Sequence, residues 1–301
     1  MANLYSSVDS NVRKTWVYLT GFLLFVIGVG WVISILLESS VILYVAVFLS
    51  IAMSFFSYWY SDRIVLSITR AKALEKQDNP ELYRIVENLS ITAGLPMPRV
   101  YVINDPQPNA FATGRDPEHG VVAVTTGLLQ KLERVELEGV IAHELAHIGN
   151  RDILLSTIVV VLVGVIVLLV DFFARVAFWG GMGGRSDRGG ATQTIILVAS
   201  VAMMILAPLL AQAMKFAISR KREFLADATG ALLTRYPEGL ALALQKISQD
   251  PNQMRGASDA TAHLFFANPF RGKERASWLH KMFMTHPPVE DRINALRGLN
   301  I

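Results

Sequence analysis

The sequence predicts an integral membrane protein that is mainly α-helical and carries a small β-sheet. Hydrophobic residues make up 52% of the 301 residues, which exceeds what an ordinary soluble globular domain needs. The excess is concentrated in four stretches without charged residues, each close to the roughly 20 residues that cross a bilayer as a helix. We therefore expect four transmembrane helices in two hairpins, and a polar domain divided between the two remaining intervals.

The first two stretches predict an N-terminal transmembrane hairpin, which we assign to residues 1–62. Residues 16–37 and 41–60 carry no charge, and only three residues separate them. A cleavable signal peptide is the alternative for the first stretch. That stretch is longer than the apolar core of a signal peptide, and no A-x-A-like cleavage site follows it.

A second hairpin is expected within residues 153–218. Its apolar stretches, residues 153–170 and 195–214, are joined by a connection that contains the glycine-rich sequence WGGMGGRSDRGG. The first stretch has only 18 residues, so a buried or re-entrant pair of helices is the alternative to a full crossing.

Lysine and arginine residues gather at the polar ends of three of the four stretches. Because cytoplasmic segments beside a span are enriched in these residues, both polar regions and both termini are expected on the cytosolic side. The clusters also account for the formal net charge of +3, so the sequence gives no indication of nucleic acid binding. The clusters are Arg13 and Lys14; Arg63, Arg70, Lys72 and Lys76; and Lys215, Arg220, Lys221 and Arg222.

The polar regions, residues 63–152 and 219–301, contain signals for short strands and several helices. Asn79 followed by Pro80 is typical of a helix start, and Gly94 is typical of a helix end. Short β-rich stretches separated by proline, asparagine and glycine predict a small antiparallel sheet. The expected strands are residues 99–103, 110–113 and 121–125, and the expected helices are residues 81–93, 133–149, 220–233 and 237–249 and a last helix from about residue 288.

The stretch VIAHELAHIGNRD, residues 140–152, contains two histidines at helical spacing. His143 and His147 lie four residues apart, so both imidazoles can reach one metal ion from the same helix face. Glu144 could then take a proton from an attacking water molecule. The H-E-x-x-H pattern also occurs in proteins that are not proteases, so a helix with two ordinary histidines is the alternative.

A catalytic zinc site needs a third protein ligand, and Glu223 in KREFLADATG is the best candidate. The other histidines do not repeat a ligand spacing, and the chain has no cysteine. Asp227 lies one turn beyond Glu223 on the same face, where it could orient a ligand histidine. A solvated helix face is the alternative for both carboxylates. Two antiparallel spans between His147 and Glu223 would return the chain to the same side of the membrane.

The motifs AHELAHIGNRD and SRKREFLADATGA, separated by two apolar stretches, resemble the HtpX family of membrane-embedded zinc metalloproteases, relatives of the prenyl-protein (CAAX) endopeptidases. The resemblance covers nearly the whole chain, including PNAFATG and THPPVEDRI. It implies a zincin-like (gluzincin) cytosolic protease domain whose two parts are residues 63–152 and 219–301. It also implies one Zn²⁺ per chain bound by His143, His147 and Glu223, with Glu144 as the catalytic base.

The resemblance also indicates where substrate binds. The NAFATG segment is expected along the cleft, where an exposed strand edge could bind an extended peptide through its backbone; a simple turn into a core strand is the alternative. His286 and Arg292 are expected to stabilise the oxyanion of the reaction. The alternatives are that HPP only starts a helix and that Arg292 pairs with a surface acid such as Glu290. The expected substrate-binding residues are Asn109, Ala110, Phe111 and Ala112.

The function that the resemblance implies is quality control in a bacterial cytoplasmic (inner) membrane. The expected enzyme is a multi-pass zinc metalloendopeptidase that cleaves damaged or misfolded membrane proteins at cytosolic segments during stress. Its expected partners are polypeptide substrates, chiefly membrane proteins, the lipid bilayer and an ATP-dependent membrane protease. The alternative is a non-enzymatic zinc-binding membrane adaptor, but a structural zinc site usually fills all four positions with cysteine or histidine.

Overall fold

The computed structural model describes residues 4–36, 39–159, 220–255, 261–269 and 287–299. Residues 152–159, which begin the predicted second hairpin, are helical. The remainder of that hairpin and His286 lie outside the described residues. The chain is mainly helical with one small sheet, as the sequence predicts.

The N-terminal hairpin consists of α1 (Leu4–Leu36) and α2 (Ser40–Ile68), which pack against each other. Within the described residues, the segment Leu43–Ile68 of α2 is long and apolar enough to cross a membrane. Large apolar side chains along it, such as Phe48 and Phe55, face outwards. The other three predicted spans stay predictions. Both helices extend beyond the predicted apolar stretches, and Asn11 in the polar first turns of α1 contacts Asn150 and Asp152 of the polar domain.

The four-stranded sheet has the order β1-β2-β4-β3, which leaves β3 at one edge. The three predicted strands are confirmed with their predicted bounds, but a wholly antiparallel sheet was wrong because β2 and β4 run parallel. Strand β3 lies between β2 and β4 in sequence but pairs antiparallel with the outer edge of β4, so β4 runs in the same direction as β2. A short extra strand precedes β2. The strands are β1 (Lys72–Ala73), β2 (Arg99–Ile103), β3 (Ala110–Thr113) and β4 (Val121–Thr125).

The helices of the polar regions match their predicted positions closely. Asn79 caps α3 through a hydrogen bond from the Leu82 backbone N–H, and Gly94 ends that helix in the left-handed region with φ 66°. A six-residue helix directly after β4 was not predicted. The helices are α3 (Pro80–Ala93), α4 (Thr126–Lys131), α5 (Arg134–Gly149), α6 (Arg220–Thr234), α7 (Pro237–Ser248) and α8 (Val289–Arg297).

Helix α5 is the centre of the polar domain, with α3, α6, α7 and β3 packed around it. Two glycines let neighbouring helices approach its backbone closely. A Cβ added at Gly230 of α6 would lie 2.9 Å from the His143 backbone nitrogen, and one added at Gly139 of α5 would lie 2.8 Å from the Leu240 nitrogen. The close crossing at Gly230 brings the first turns of α6 over the H-E-x-x-H turn of α5.

Candidate active site

His143, His147 and Glu223 meet at the crossing of α5 and α6. The two Nε2 atoms lie 3.1 Å apart, and the His147 Nε2 lies 3.5 Å from one Glu223 carboxylate oxygen. One donor atom from each of the three residues lies within 4.8 Å of the other two. Two imidazoles and a carboxylate at this spacing fit zinc, whose ligands lie roughly 2.0–2.2 Å from the ion. The alternative of a solvated helix face for Glu223 is wrong, because the residue is buried.

The other ring nitrogen of His143 is held by Asp227. Its Nδ1 lies 2.9 Å from Asp227 Oδ1, as expected if Asp227 orients a ligand histidine. Arg292 donates to both oxygens of that carboxylate, from Nε at 2.8 Å and from Nη2 at 2.6 Å. The guanidinium also lies over the ring of Phe266, 4.9 Å from its centroid.

The other ring nitrogen of His147 is held by Asp152, a residue that sequence reasoning missed. His147 Nδ1 lies 3.0 Å from Asp152 Oδ2. Asp152 lies five residues after His147, which is not a same-face spacing on a continuous helix. Helix α5 ends at Gly149, and Arg151 adopts φ 55°, so the chain turns and returns Asp152 to the histidine. The sequence signal was a carboxylate five residues after the second histidine of H-E-x-x-H.

Burial and these carboxylates shift the pKa values of the site in opposite directions. Burial lowers the pKa of His143 to about 4, although Asp227 acts against it. Burial also opposes charge on His147, but the hydrogen bond to Asp152 and the charge of Glu223 outweigh it and raise the pKa to about 9. A metal ion would displace the proton from Nε2 of His147, because a ring nitrogen binds metal only when it carries no proton.

Glu144 is buried beside the three ligands. Burial raises the pKa of its carboxyl group to about 7; the charge of His147 acts against this shift, the charge of Glu223 reinforces it, and the Ala112 backbone also opposes it. A carboxyl group with a pKa close to neutral can both accept and return a proton at neutral pH. The position of Glu144 next to the edge strand β3 therefore suits a proton-transferring group.

The four predicted substrate-binding residues, at β3 and just before it, differ in whether they face the active site. The backbone of Ala112 faces Glu144, whereas the carbonyl of Ala110 accepts a hydrogen bond from the Phe266 N–H at 2.8 Å. The Asn109 amide is buried and bonds in both directions with the backbone of Ala267. The Phe111 side chain packs on the opposite sheet face, edge-on to Phe265. Substrate binding by these four strand residues stays a prediction, and Ala112 is the best placed.

Arg292 is buried to 1% exposure, so the alternative, pairing with a surface acid such as Glu290, is wrong. Its guanidinium group faces Asp227, and its Nη1 lies 3.7 Å from Glu223 Oε2. These contacts indicate that Arg292 positions the carboxylates of the site. Its predicted role in stabilising an oxyanion stays a prediction, as does that of His286.

The sequence matches known proteins over almost its whole length. The pattern of Peptidase family M48 matches residues 76–300. The chain belongs to peptidase family M48. A protease HtpX homolog of Caldanaerobacter subterraneus is 45% identical, over 99% of this chain and 98% of the relative. Homologs of the same description are 44% identical in Listeria monocytogenes (98% and 100%) and 47% identical in Pyrococcus furiosus (94% and 92%).

The predicted HtpX-type resemblance and the predicted metallopeptidase class are confirmed by these matches. Among solved structures, the crystal structure of S. mikatae Ste24p is similar, with a TM-score of 0.49 and 17% sequence identity; the match covers 98% of this chain and 67% of that chain. By its sequence matches, the protein is a membrane-associated metallopeptidase of family M48, and the non-enzymatic adaptor is not favoured.

Proposed function

We propose that this M48 peptidase is a zinc-dependent endopeptidase that binds one Zn²⁺ through His143, His147 and Glu223. The observation that carries the proposal is the convergence of these three donors beside a buried glutamate and a strand edge. Each ligand histidine also has a carboxylate on its second ring nitrogen, which is the arrangement that fixes imidazole ligands in zinc enzymes.

Zinc would supply Lewis acidity at the scissile carbonyl. Glu144 takes the proton of the attacking water and later returns it to the leaving amine, a task that its raised pKa suits. The backbone of Ala112 aligns the extended substrate over α5. Asp227 and Asp152 keep Nδ1 of each ligand histidine protonated, so that Nε2 is free for the metal. We also assign oxyanion stabilisation to His286, with Arg292 acting mainly through Asp227.

We place the enzyme in a bacterial inner membrane, with four spans and with both termini and the active site on the cytosolic side. The clusters of Lys and Arg beside the predicted spans support this orientation. The proposed domains are the hairpin 1–62, the protease parts 63–152 and 219–301, and the hairpin 153–218. A site at the membrane surface suits damaged membrane proteins as substrates, in quality control alongside an ATP-dependent membrane protease.

The test is cleavage of an unfolded model protein by the purified full-length enzyme in detergent. Wild type, Glu144→Gln and the control Glu138→Gln are each assayed after chelation and after zinc is restored. Glu138 lies on the same helix, in an exposed pair with Arg134. We expect Glu144→Gln to retain zinc and to lose about 10²–10⁴-fold in kcat, because it removes the proton acceptor. Glu138→Gln should cleave like wild type.

Two results would contradict the proposal. Equal zinc-dependent turnover by Glu144→Gln and wild type would remove Glu144 from the chemistry. Wild type that binds no zinc, or that cleaves equally well after chelation, would remove the metal.

A further inference from the structure

The N-terminal helix α1 reaches the metal centre through one buried amide. Asn11, which lies before the apolar stretch of α1, is 2% exposed. Its Nδ2 donates to Asp152 Oδ1 at 2.6 Å and to the Asn150 carbonyl at 3.1 Å. Asn11 therefore contacts both the C-terminal end of α5 and the carboxylate that holds His147.

The orientation of the Asn11 amide follows from its partners. Its two N–H groups meet acceptors, and its Oδ1 lies 3.4 Å from Nη1 of Arg222, a group that can only donate. The flipped amide would place its donor against the guanidinium and its oxygen against the Asp152 carboxylate. The observed arrangement satisfies all three contacts.

Asp152 stands between α1 and the metal ligand. One of its oxygens accepts from His147 Nδ1, and the other accepts from Asn11 and lies 3.1 Å from Arg222 Nε. Arg222 directly precedes the ligand Glu223 on α6. Asn11 thus contacts both elements that supply ligands, the end of α5 through Asn150 and α6 through Arg222.

We propose that Asn11 is a positioning residue of the metal centre, through which the membrane hairpin sets the affinity for zinc. The inference rests on the proposed zinc site and adds a residue from outside the protease domain to it. Asn11 holds Asp152 in the rotamer that accepts from His147, and Asp152 holds the ring with Nε2 towards Glu223. Movement of α1 away from α5 releases Asp152 and loosens one of three ligands.

Thr15 provides a matched control one turn further along α1. It is 1% exposed, and its hydroxyl donates to the Asn11 carbonyl within the helix at 2.9 Å. Among the described residues, no hydrogen bond joins this hydroxyl to Asp152. Thr15→Val therefore removes a buried polar group from the same end of α1 without removing a partner of the metal centre.

The experiment measures zinc affinity of the full-length protein in detergent, by competition with a chromophoric chelator, together with the melting temperature of the metal-free form. We expect Asn11→Leu to raise the Kd for zinc about 10-fold, the lower end of the roughly 10–100-fold typical of residues behind a ligand. Asn11→Asp keeps the size of the side chain and replaces the donor with an acceptor, so it should weaken zinc binding at least as much. Thr15→Val should bind zinc like wild type.

A double-mutant cycle tests whether Asn11 acts through Asp152. Asp152→Asn should raise the Kd for zinc about 10–100-fold, and adding Asn11→Leu should raise it no further. Additive losses, or wild-type affinity in both Asn11 variants, would overturn the inference. An equal loss of affinity in Thr15→Val would overturn it as well, because the effect would then be general to α1. If wild type binds no zinc, the proposed function itself fails, whereas tight zinc in wild type and in Asn11→Leu rejects only the role of Asn11.

Discussion

The two proposed ligand histidines are held by different parts of the molecule. His143 is 1% exposed, and its carboxylate Asp227 is fixed by Arg292 of α8, inside the protease domain. His147 is 16% exposed, and its carboxylate Asp152 is fixed by Asn11 of the N-terminal hairpin. The same chemistry, a carboxylate behind an imidazole, therefore has one anchor in the core (Arg292 on Asp227) and one in the N-terminal hairpin (Asn11 on Asp152).

The two anchors should affect different properties, stability in one case and metal affinity in the other. The core anchor is the ion pair of Arg292 with Asp227, buried away from water, where an unpaired charge is costly. The hairpin anchor is the neutral amide of Asn11, and the carboxylate that it supports, Asp152, also pairs with the cationic Arg222. We therefore expect the core anchor to matter most for folding and the hairpin anchor to matter most for zinc.

Arg292→Leu gives the largest expected change in stability. It removes the two hydrogen bonds that Arg292 donates to the buried carboxylate of Asp227, which should cost about 3–5 kcal/mol in the free energy of unfolding. The measurement is thermal or denaturant unfolding of the metal-free protein. Arg134→Leu, at an exposed pair on α5, is the control and should leave the melting temperature unchanged. A loss no greater than that of Asn11→Leu would remove the distinction between the two anchors.

Gly230→Ala should reduce stability by less than Arg292→Leu, and it should displace the whole of α6. The new Cβ would lie 2.9 Å from the His143 nitrogen, so α6 must move away from α5, at a cost of about 1–3 kcal/mol. Since α6 carries Glu223 and Asp227, zinc affinity should fall together with stability. The measurements are the Kd for zinc and the melting temperature.

Gly149→Ala is the matched control for that substitution. Its Cβ would make only an ordinary contact with Leu95, at 3.6 Å, and alanine favours the helix. It should bind zinc like wild type and be at least as stable. If Gly230→Ala behaved in the same way, close helix crossing would not be what assembles the site.

The sequence was informative where a signal is local. Strand bounds followed from β-rich runs and turn residues, and His143, His147 and Glu223 followed from motifs and ligand chemistry. Asp227 could be predicted because it lies one helical turn from Glu223. Asp152 could not, because the chain breaks at Arg151 between it and His147. The parallel pairing of β2 with β4 depended on a strand that lies between them in sequence but outside them in space.

The contacts of Asn11 and Arg292 were also beyond sequence reasoning. Asn11 lies 141 residues from Asp152, and Arg292 lies 65 residues from Asp227. Neither spacing carries a helical or strand period, so only the folded chain brings these pairs together. Burial of the guanidinium was equally hidden, since arginine is usually found at the surface.

X-ray absorption at the zinc edge measures whether His143, His147 and Glu223 bind the same metal ion. We predict one zinc per chain, with two imidazole nitrogens and carboxylate oxygen at roughly 2.0–2.2 Å. Glu223→Gln should change this shell and lower zinc occupancy, whereas Glu144→Gln should leave the shell intact. A zinc shell that Glu223→Gln leaves unaltered, or one without two imidazoles, would contradict the account.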